Sequence, residues 1–162
     1  MSLNPSKLVD DVANAIAAEV ALGVFAHRRA KFEGWLKVKI VDLVIAQGLE
    51  AYPEIDRIDV VSLPDWAIQL KTTNTNYRFG EAIRVTRPIT ENVREIMADV
   101  DKLKAHAKYP NRGVLFVVFP CKPAHAQWKA HFAKLTPLFS STHSKEFVFQ
   151  GGLPGVVYLG IL

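Results

Sequence analysis

Two polar side chains stand two residues apart in the stretch PDWAIQLKT, residues 64–72. If this stretch is a β-strand, Gln69 and Lys71 share one face while Trp66, Ile68 and Leu70 point to the other, because side chains alternate along a strand. An amide oxygen is a ligand for a hard cation, and an ammonium group orients a water molecule or offsets negative charge on a phosphate. Metal-dependent chemistry on a phosphodiester is therefore one interpretation of this spacing.

An acidic residue, Asp59, lies in the preceding apolar run Ile-Asp-Val-Val, residues 58–61. The connection Ser-Leu-Pro-Asp between the two runs is typical of a hairpin, which brings Asp59 close to Gln69. If the two side chains face the same side, a carboxylate and an amide oxygen converge on one Mg²⁺, with Lys71 beside it. The alternative is a solvent-facing polar stripe with a lysine whose charged end reaches water.

The chain as a whole predicts a single α/β domain over residues 1–162, because it contains no repeat, low-complexity tract or linker-like stretch. Apolar residues at helical spacing predict helices over 5–23, 30–47, 90–108 (with Thr90 as N-cap) and 123–135. Apolar and β-branched runs predict strands at 55–61, 66–72, 82–87 and 113–119, with a closing hairpin of 145–150 and 156–162. The run GVLFVVF, residues 113–119, is typical of a buried central strand.

Together these residues resemble the PD-(D/E)XK nuclease superfamily of restriction endonucleases, junction resolvases and repair nucleases. The hairpin carries the likeness, with I58-D59-V60-V61 before the turn and A67-I68-Q69-L70-K71-T72 after it. An acidic residue, Glu33, on the preceding helix and the helix-then-apolar-strand order after the hairpin extend the likeness over residues 30–119. The resemblance implies a restriction-endonuclease-like αβββαβ core with a mixed central sheet flanked by helices, an extra N-terminal helix and a C-terminal hairpin.

The resemblance also implies roles for individual residues. Asp59 would bind the metal, Lys71 would be the catalytic lysine, Glu33 would be an accessory acid, and the carbonyl of Leu70 would be a further metal ligand. The implied activity is Mg²⁺-dependent hydrolysis of phosphodiester bonds in DNA. Gln69 stands where the superfamily usually has Glu or Asp, so the site has one negative charge fewer and a lower metal affinity is expected.

The glutamine leaves three hypotheses open. Gln69 is a tolerated oxygen ligand in a working nuclease, with Asp65 at the turn as a replacement for the lost charge. Otherwise the chain is a nuclease-fold module that has lost catalysis and binds nucleic acid or a protein partner. The third hypothesis is an unrelated α/β domain whose polar stripe is only solvated.

The charge pattern adds a hypothesis about phosphate contacts. The formal net charge is +4, and five basic residues surround Glu33 within residues 26–39. We expect these residues and one on the later helix to contact a nucleic-acid backbone; they are Arg28, Arg29, Lys31, Lys37, Lys39 and Lys102. Solvated helix faces of no function are the alternative.

The remaining signals concern compartment and assembly. The chain has one cysteine, Cys121, so it has no internal disulfide and a reducing cytoplasm is the expected location. Its most apolar stretch, residues 12–26, is too short and too polar to span a membrane. A homodimer fits the resemblance, because many superfamily members cut two strands as dimers, but no pattern in the sequence locates an interface.

Overall fold

The computed structural model of the chain describes residues 1–80, 82 and 88–162. In these ranges the helices are α1 Pro5–Ala18, α2 Val20–His27, α3 Glu33–Ala46, α4 Ile89–Lys104 and α5 Ala126–Leu135, followed by a short 3-10 turn, Thr136–Leu138. The strands are β1 Glu50–Ile55, β2 Ile58–Leu63, β3 Trp66–Asn74, β4 Asn111–Phe119, β5 Ser141–Val148 and β6 Pro154–Ile161. No helix within the described ranges is long and apolar enough to cross a membrane.

The six described strands form one mixed sheet in the order β1-β2-β3-β4-β6-β5. Strands β3 and β4 are parallel, whereas every other neighbouring pair is antiparallel. Residues 113–119 of β4 are buried without exception and lie in the interior of the sheet. The predicted α/β class and the predicted central strand are therefore confirmed.

Each face of the sheet packs against its own helices. On one side, which we call the α3 face, residues of α1 and α3 such as Ile16 and Leu36 belong to the same hydrophobic cluster as Ile68 and Leu70. On the other side, the α4 face, residues of α4 and α5 such as Ile96 and Trp128 join a cluster that contains Ala67. Strand β3 therefore alternates between the two faces, as the sequence predicted for residues 66–70.

The N-terminal helices differ from the prediction in where they break. The predicted helix over 5–23 is two helices, because Glu19 has an extended conformation with φ −88° and ψ 109°. Asn4 begins α1 by accepting a hydrogen bond from the Lys7 backbone N–H at 3.0 Å, a typical N-cap. Helix α3 lies inside the predicted range 30–47, and Gly48 follows it with φ +78°.

The strands and the start of α4 agree with the prediction only in part. The prediction missed β1, and the predicted strand 55–61 is divided by a turn at Asp56 and Arg57, which have φ values of +53° and +63°. The prediction that Thr90 is the N-cap of α4 was wrong, because the helix begins at Ile89 after Pro88 and has no side-chain cap. The predicted strand at 82–87 falls, except for residue 82, outside the described residues. The closing hairpin is confirmed as the antiparallel pair β5 and β6.

Candidate functional site

Gln69 lies at the centre of the hairpin and is 3% exposed. Its side-chain Nε2 donates to the carbonyl oxygen of Arg57 at 3.1 Å, and its Oε1 accepts from the backbone N–H of Asp59 at 3.3 Å. The amide thus uses a donor and an acceptor at once to tie β3 to the start of β2. A carboxylate has no donor and makes only one of these bonds.

The local backbone explains why this bridge exists. Regular pairing of β2 with β3 runs from Ser62 opposite Trp66 to Val60 opposite Ile68. Before Val60 the alternation of β2 breaks, because Ile58 packs on the α4 face whereas Val60 packs on the α3 face. The second half of β3 therefore has no regular ladder to β2, and Gln69 supplies side-chain hydrogen bonds in place of it.

Asp59 is turned toward α3. Its Oδ2 accepts from the backbone N–H of Leu70 at 2.9 Å, and its Oδ1 pairs with the Nζ of Lys37 at 2.9 Å. Lys37 also forms an ion pair with Glu54. Burial alone lowers the pKa of Lys37, but hydrogen bonds and charge interactions with Glu54 and Asp59 together raise it above its ordinary value.

Glu33 acts on the same edge of β3. Its Oε1 accepts from the backbone N–H of Thr72 at 3.0 Å and from the Thr72 hydroxyl at 3.4 Å. Leu70 and Thr72 are two residues apart, so their N–H groups point in the same direction. The two predicted acids, Asp59 and Glu33, therefore satisfy successive backbone donors that β2 leaves unpaired.

Lys71 lies on the α4 face and contacts a residue that the sequence analysis missed. Its Nζ is 3.4 Å from Oδ2 of Asp99 on α4, whose Oδ1 is 3.3 Å from the Nζ of Lys102. The Asp99 side chain is only 3% exposed. Burial raises its pKa, although the two lysines act in the opposite direction. The signal was available, because Asp99 is three residues after Ile96 and four before Leu103, within the apolar stripe of the helix.

The structure brings the predicted residues together only in part. Asp59, Glu33 and the backbone of Leu70 meet on the α3 side of β3, whereas Lys71 is paired with Asp99 on the α4 side. The expected shared face for the side chains of Asp59 and Gln69 is not formed. The reason is that Ile58 and Val60 lie on opposite faces of the sheet. In a regular strand, residues two apart share a face, so the sequence pattern did not predict this change.

The oxygens at the hairpin do not fit a Mg²⁺ site in this arrangement. Both carboxylate oxygens of Asp59 and the amide oxygen of Gln69 already accept a hydrogen bond or hold an ion pair. Mg²⁺ requires a near-octahedral set of free oxygens at about 2.0–2.1 Å. Across the described ranges no group of three or more His, Cys, Asp or Glu side chains is placed to hold a metal ion. Magnesium therefore stays a prediction from sequence.

Asp65 lies at the far end of the hairpin. Its Oδ2 accepts from the hydroxyl of Ser2 and from the Nδ2 of Asn111, both at 2.9 Å. Four residues along a strand separate it from Gln69, a distance of about 13 Å. It is too far from Gln69 to replace the charge that the superfamily places there.

Most of the predicted phosphate-binding residues have partners within the protein. Arg29 is buried and donates to the carbonyls of Thr75 and Tyr77, the latter at 2.7 Å. Two lysines pair with acids on other elements, Lys31 with Glu95 and Lys37 with Asp59 and Glu54, and two pair within their own helix, Lys39 with Asp42 and Lys102 with Asp99. Arg28 is exposed and forms no ion pair with another described residue.

A different basic region stands out in the folded chain. Residues 102–145 contain eight Lys and Arg, four His and no Asp or Glu, and we call them the acid-free segment. Five of its lysines are exposed and form no ion pair in the described part of the chain; they are Lys104, Lys122, Lys129, Lys134 and Lys145. The sequence analysis named only Lys102 among the basic residues of this segment, although the absence of acids is visible in the sequence.

Comparisons of this chain with protein-family models, with curated proteins and with solved structures find no significant match. The site must therefore be interpreted from its own geometry.

Proposed function

We propose that this chain is a nuclease-fold module that binds nucleic acid without hydrolysing it. The element order α3-β1-β2-β3-α4-β4 supports the resemblance, since it is the αβββαβ order expected of the superfamily. The parallel β3–β4 pair within an otherwise antiparallel sheet is the mixed sheet that the resemblance implies.

The hydrogen bonds of the Gln69 side chain are the main observation behind the proposed absence of hydrolysis. Its amide donates to Arg57 and accepts from Asp59, a pair of bonds that the acid of an active nuclease does not make. Lys71, which an active site needs beside the scissile phosphate, is instead paired with the buried Asp99. Each central residue of the hairpin thus has a structural partner that holds the sheet or the helix in place.

The acid-free segment supports the binding of a polyanion. Three lysines on or beside α5 are exposed and form no ion pair with an acid in the described ranges; they are Lys122, Lys129 and Lys134. Lysines that are not neutralised within the protein release counterions from a phosphate backbone, which produces binding that weakens with salt and carries little sequence information. Duplex DNA is the substrate class that the resemblance favours.

A binding experiment tests the nucleic-acid part. Fluorescence anisotropy with a labelled DNA duplex is measured for the wild type, for Lys129→Glu with Lys134→Glu, and for Lys7→Glu with Arg94→Glu. The two double variants change the net charge equally, and the two control residues are exposed on α1 and α4. We expect the α5 pair to lower affinity roughly tenfold or more, with a smaller salt dependence, and the control pair to leave it nearly unchanged. Equal losses in both variants, or no binding by the wild type, would contradict the proposal.

A cleavage experiment tests the catalytic part. Supercoiled plasmid and branched DNA are incubated with the wild type and with Lys71→Ala, each with Mg²⁺ and with chelator. We expect no Mg²⁺-dependent product above that of Lys71→Ala. Cleavage by the wild type that requires Mg²⁺ and disappears in Lys71→Ala would overturn the proposal in favour of a working nuclease.

A further inference from the structure

A pocket of about 530 Å³ opens between α2 and the start of α3. Glu19 and α2 form one wall and residues 31–35 form the other, and we call it the α2–α3 pocket. Its lining is mainly apolar. Its volume is in the range of sites for small molecules, about 300–1,000 Å³. The pocket therefore has the size and the apolar wall of a ligand site.

Three aromatic side chains form much of this wall. They are Phe25 of α2, Phe32 just before α3 and Trp35 within α3. The ring planes of Phe32 and Trp35 lie at 76° to each other with centroids 6.2 Å apart, so the two rings form a corner. Phe32 is 4% exposed and packs on Phe119, which fixes the corner, whereas Phe25 is 42% exposed. Aromatic rings that meet at an angle are typical of sites for methylated ammonium groups.

The charges in the wall favour a cation as the ligand. Glu19 and Glu33 both line the pocket, and Lys31 is the basic residue of the lining. The Nζ of Lys31 is directed to α4, where it lies 2.9 Å from Oδ1 of Asn92 and 3.7 Å from Oε2 of Glu95, so its aliphatic stem lines the pocket. Glu19 is half-buried and forms no ion pair with another described residue. A carboxylate beside an apolar wall is complementary to a cation with an apolar surface.

Trp35 already contacts one cation of the protein. The Nζ of Lys39 lies 5.9 Å from the centroid of the Trp35 ring, which is within the range of a cation–π contact. Lys39 is not among the residues that line the pocket, so this contact does not fill it. The indole thus attracts positive charge on this surface.

We propose that the α2–α3 pocket binds a quaternary ammonium group. Its methyl groups contact the rings of Phe25, Phe32 and Trp35, and Glu19 balances its charge. A primary ammonium is a poorer ligand, because it is strongly hydrated and has three donors that the apolar wall does not pair. The site adds a small-molecule ligand to the proposed binding of nucleic acid and does not depend on it, since α3 and α5 pack on opposite faces of the sheet.

Choline and a neutral molecule of the same shape test whether charge is recognised. The alcohol 3,3-dimethyl-1-butanol has carbon in place of the choline nitrogen. In isothermal titration calorimetry we expect choline to bind at least about tenfold more tightly than this alcohol or ethanolamine. Equal affinities for choline and the alcohol, or no binding of choline at millimolar concentrations, would overturn the proposal. Trimethyllysine blocked at both ends is titrated as well, and its affinity relative to choline distinguishes a modified protein chain from a free small molecule as the source of the group.

Substitutions in the wall test the position of the site. Phe25→Leu and Glu19→Gln are each expected to weaken choline binding roughly fivefold or more. The matched controls are Tyr52→Leu, where the tyrosine is 43% exposed on β1, and Asp10→Asn, exposed on α1; each should stay within about twofold of the wild type. Equal losses in site and control variants would contradict the site, and circular dichroism confirms that each variant is folded. The α5 double variant should bind choline like the wild type, so this proposal and the binding of nucleic acid fail separately.

Discussion

Residues 26–39, which lie beside the hairpin, and the acid-free segment are both basic in sequence, but the fold neutralises more of the charge in the first than in the second. In residues 26–39, Lys31 and Lys37 meet acids on other elements, Lys39 meets Asp42 on its own helix, and Arg29 is buried against backbone carbonyls. In the acid-free segment, Lys129 and Lys134 have no acid within the segment to meet. A cluster of basic residues is therefore available to a polyanion only where the fold does not bring opposite charge to it.

The same contrast predicts where substitutions act. Charged and polar groups at the hairpin are buried or half-buried and hold backbone or helix contacts, so changing them should alter the free energy of unfolding. The lysines of α5 are exposed and hold no such contacts, so changing them should alter binding alone. Each experiment below sharpens or breaks that distinction.

Gln69→Glu should have the largest effect on stability. The substitution removes the donor to the Arg57 carbonyl and places a carboxylate at a position that is 3% exposed, close to Asp59. We expect a loss of about 3 kcal/mol in the free energy of unfolding by urea at neutral pH. The loss should shrink as pH falls, because a protonated glutamic acid regains a donor.

Added Mg²⁺ separates the two interpretations of this variant. If the only role of Gln69 is to join β3 to β2, Mg²⁺ should leave the free energy of unfolding of Gln69→Glu unchanged. The same result is expected for the wild type and for Gln69→Ala. A selective stabilisation of Gln69→Glu by Mg²⁺ would show that the hairpin retains a metal-binding geometry that the glutamine masks.

Asp59→Ala should have the next largest effect. It leaves the Leu70 N–H without its acceptor and removes one of the two acids that hold Lys37. We expect a loss of about 2 kcal/mol in the free energy of unfolding. Asp59→Asn keeps an oxygen acceptor for Leu70, so its loss should be clearly smaller. Equal losses in the two variants would show that the charge, rather than the hydrogen bond, is what matters.

Asp99 allows a test by pH. Burial raises its pKa in the folded protein, so the folded state binds a proton more readily than the unfolded chain does in the acid range. Its contribution to stability is therefore fully present below the ordinary aspartate pKa and is lost as pH rises through the folded value. The free energy of unfolding of the wild type relative to Asp99→Asn should decrease as pH rises. The opposite slope would mean that Lys71 and Lys102 outweigh burial.

Lys134→Ala should have the smallest effect on stability. Its side chain is exposed at the end of α5 and makes no ion pair in the described ranges, so the free energy of unfolding should change by no more than about 0.5 kcal/mol. Thermal and urea unfolding of this variant serve as the baseline for the hairpin variants. A loss in the free energy of unfolding as large as that of Asp59→Ala would show that substitutions on α5 affect stability as much as substitutions at the hairpin.

Several elements could be predicted because their signals are local. The run of residues 113–119 is apolar throughout and forms β4, and the turn residues near 151–155 separate the two strands of the closing hairpin. Strand β1 was missed because it is an edge strand with Glu50, Pro53 and Glu54 in it, and an exposed edge needs no apolar pattern. Thr90 resembled an N-cap, but α4 begins one residue earlier.

By itself the sequence determined which residues carry charge and which runs must be buried, since both follow from side-chain chemistry and spacing. The absence of Asp and Glu over residues 102–145 is already visible in the sequence, although the fold still pairs Lys102 and Lys108 with acids from outside that segment. Only the tertiary structure decided what the hairpin residues do. Gln69 could have been a metal ligand or a structural bridge, and Lys71 could have met a phosphate or an acid. Asp99 is 28 residues from Lys71 along the chain, and a break in strand alternation turns Asp59 away from the expected face. Contacts of that range are set by packing, which no local pattern records.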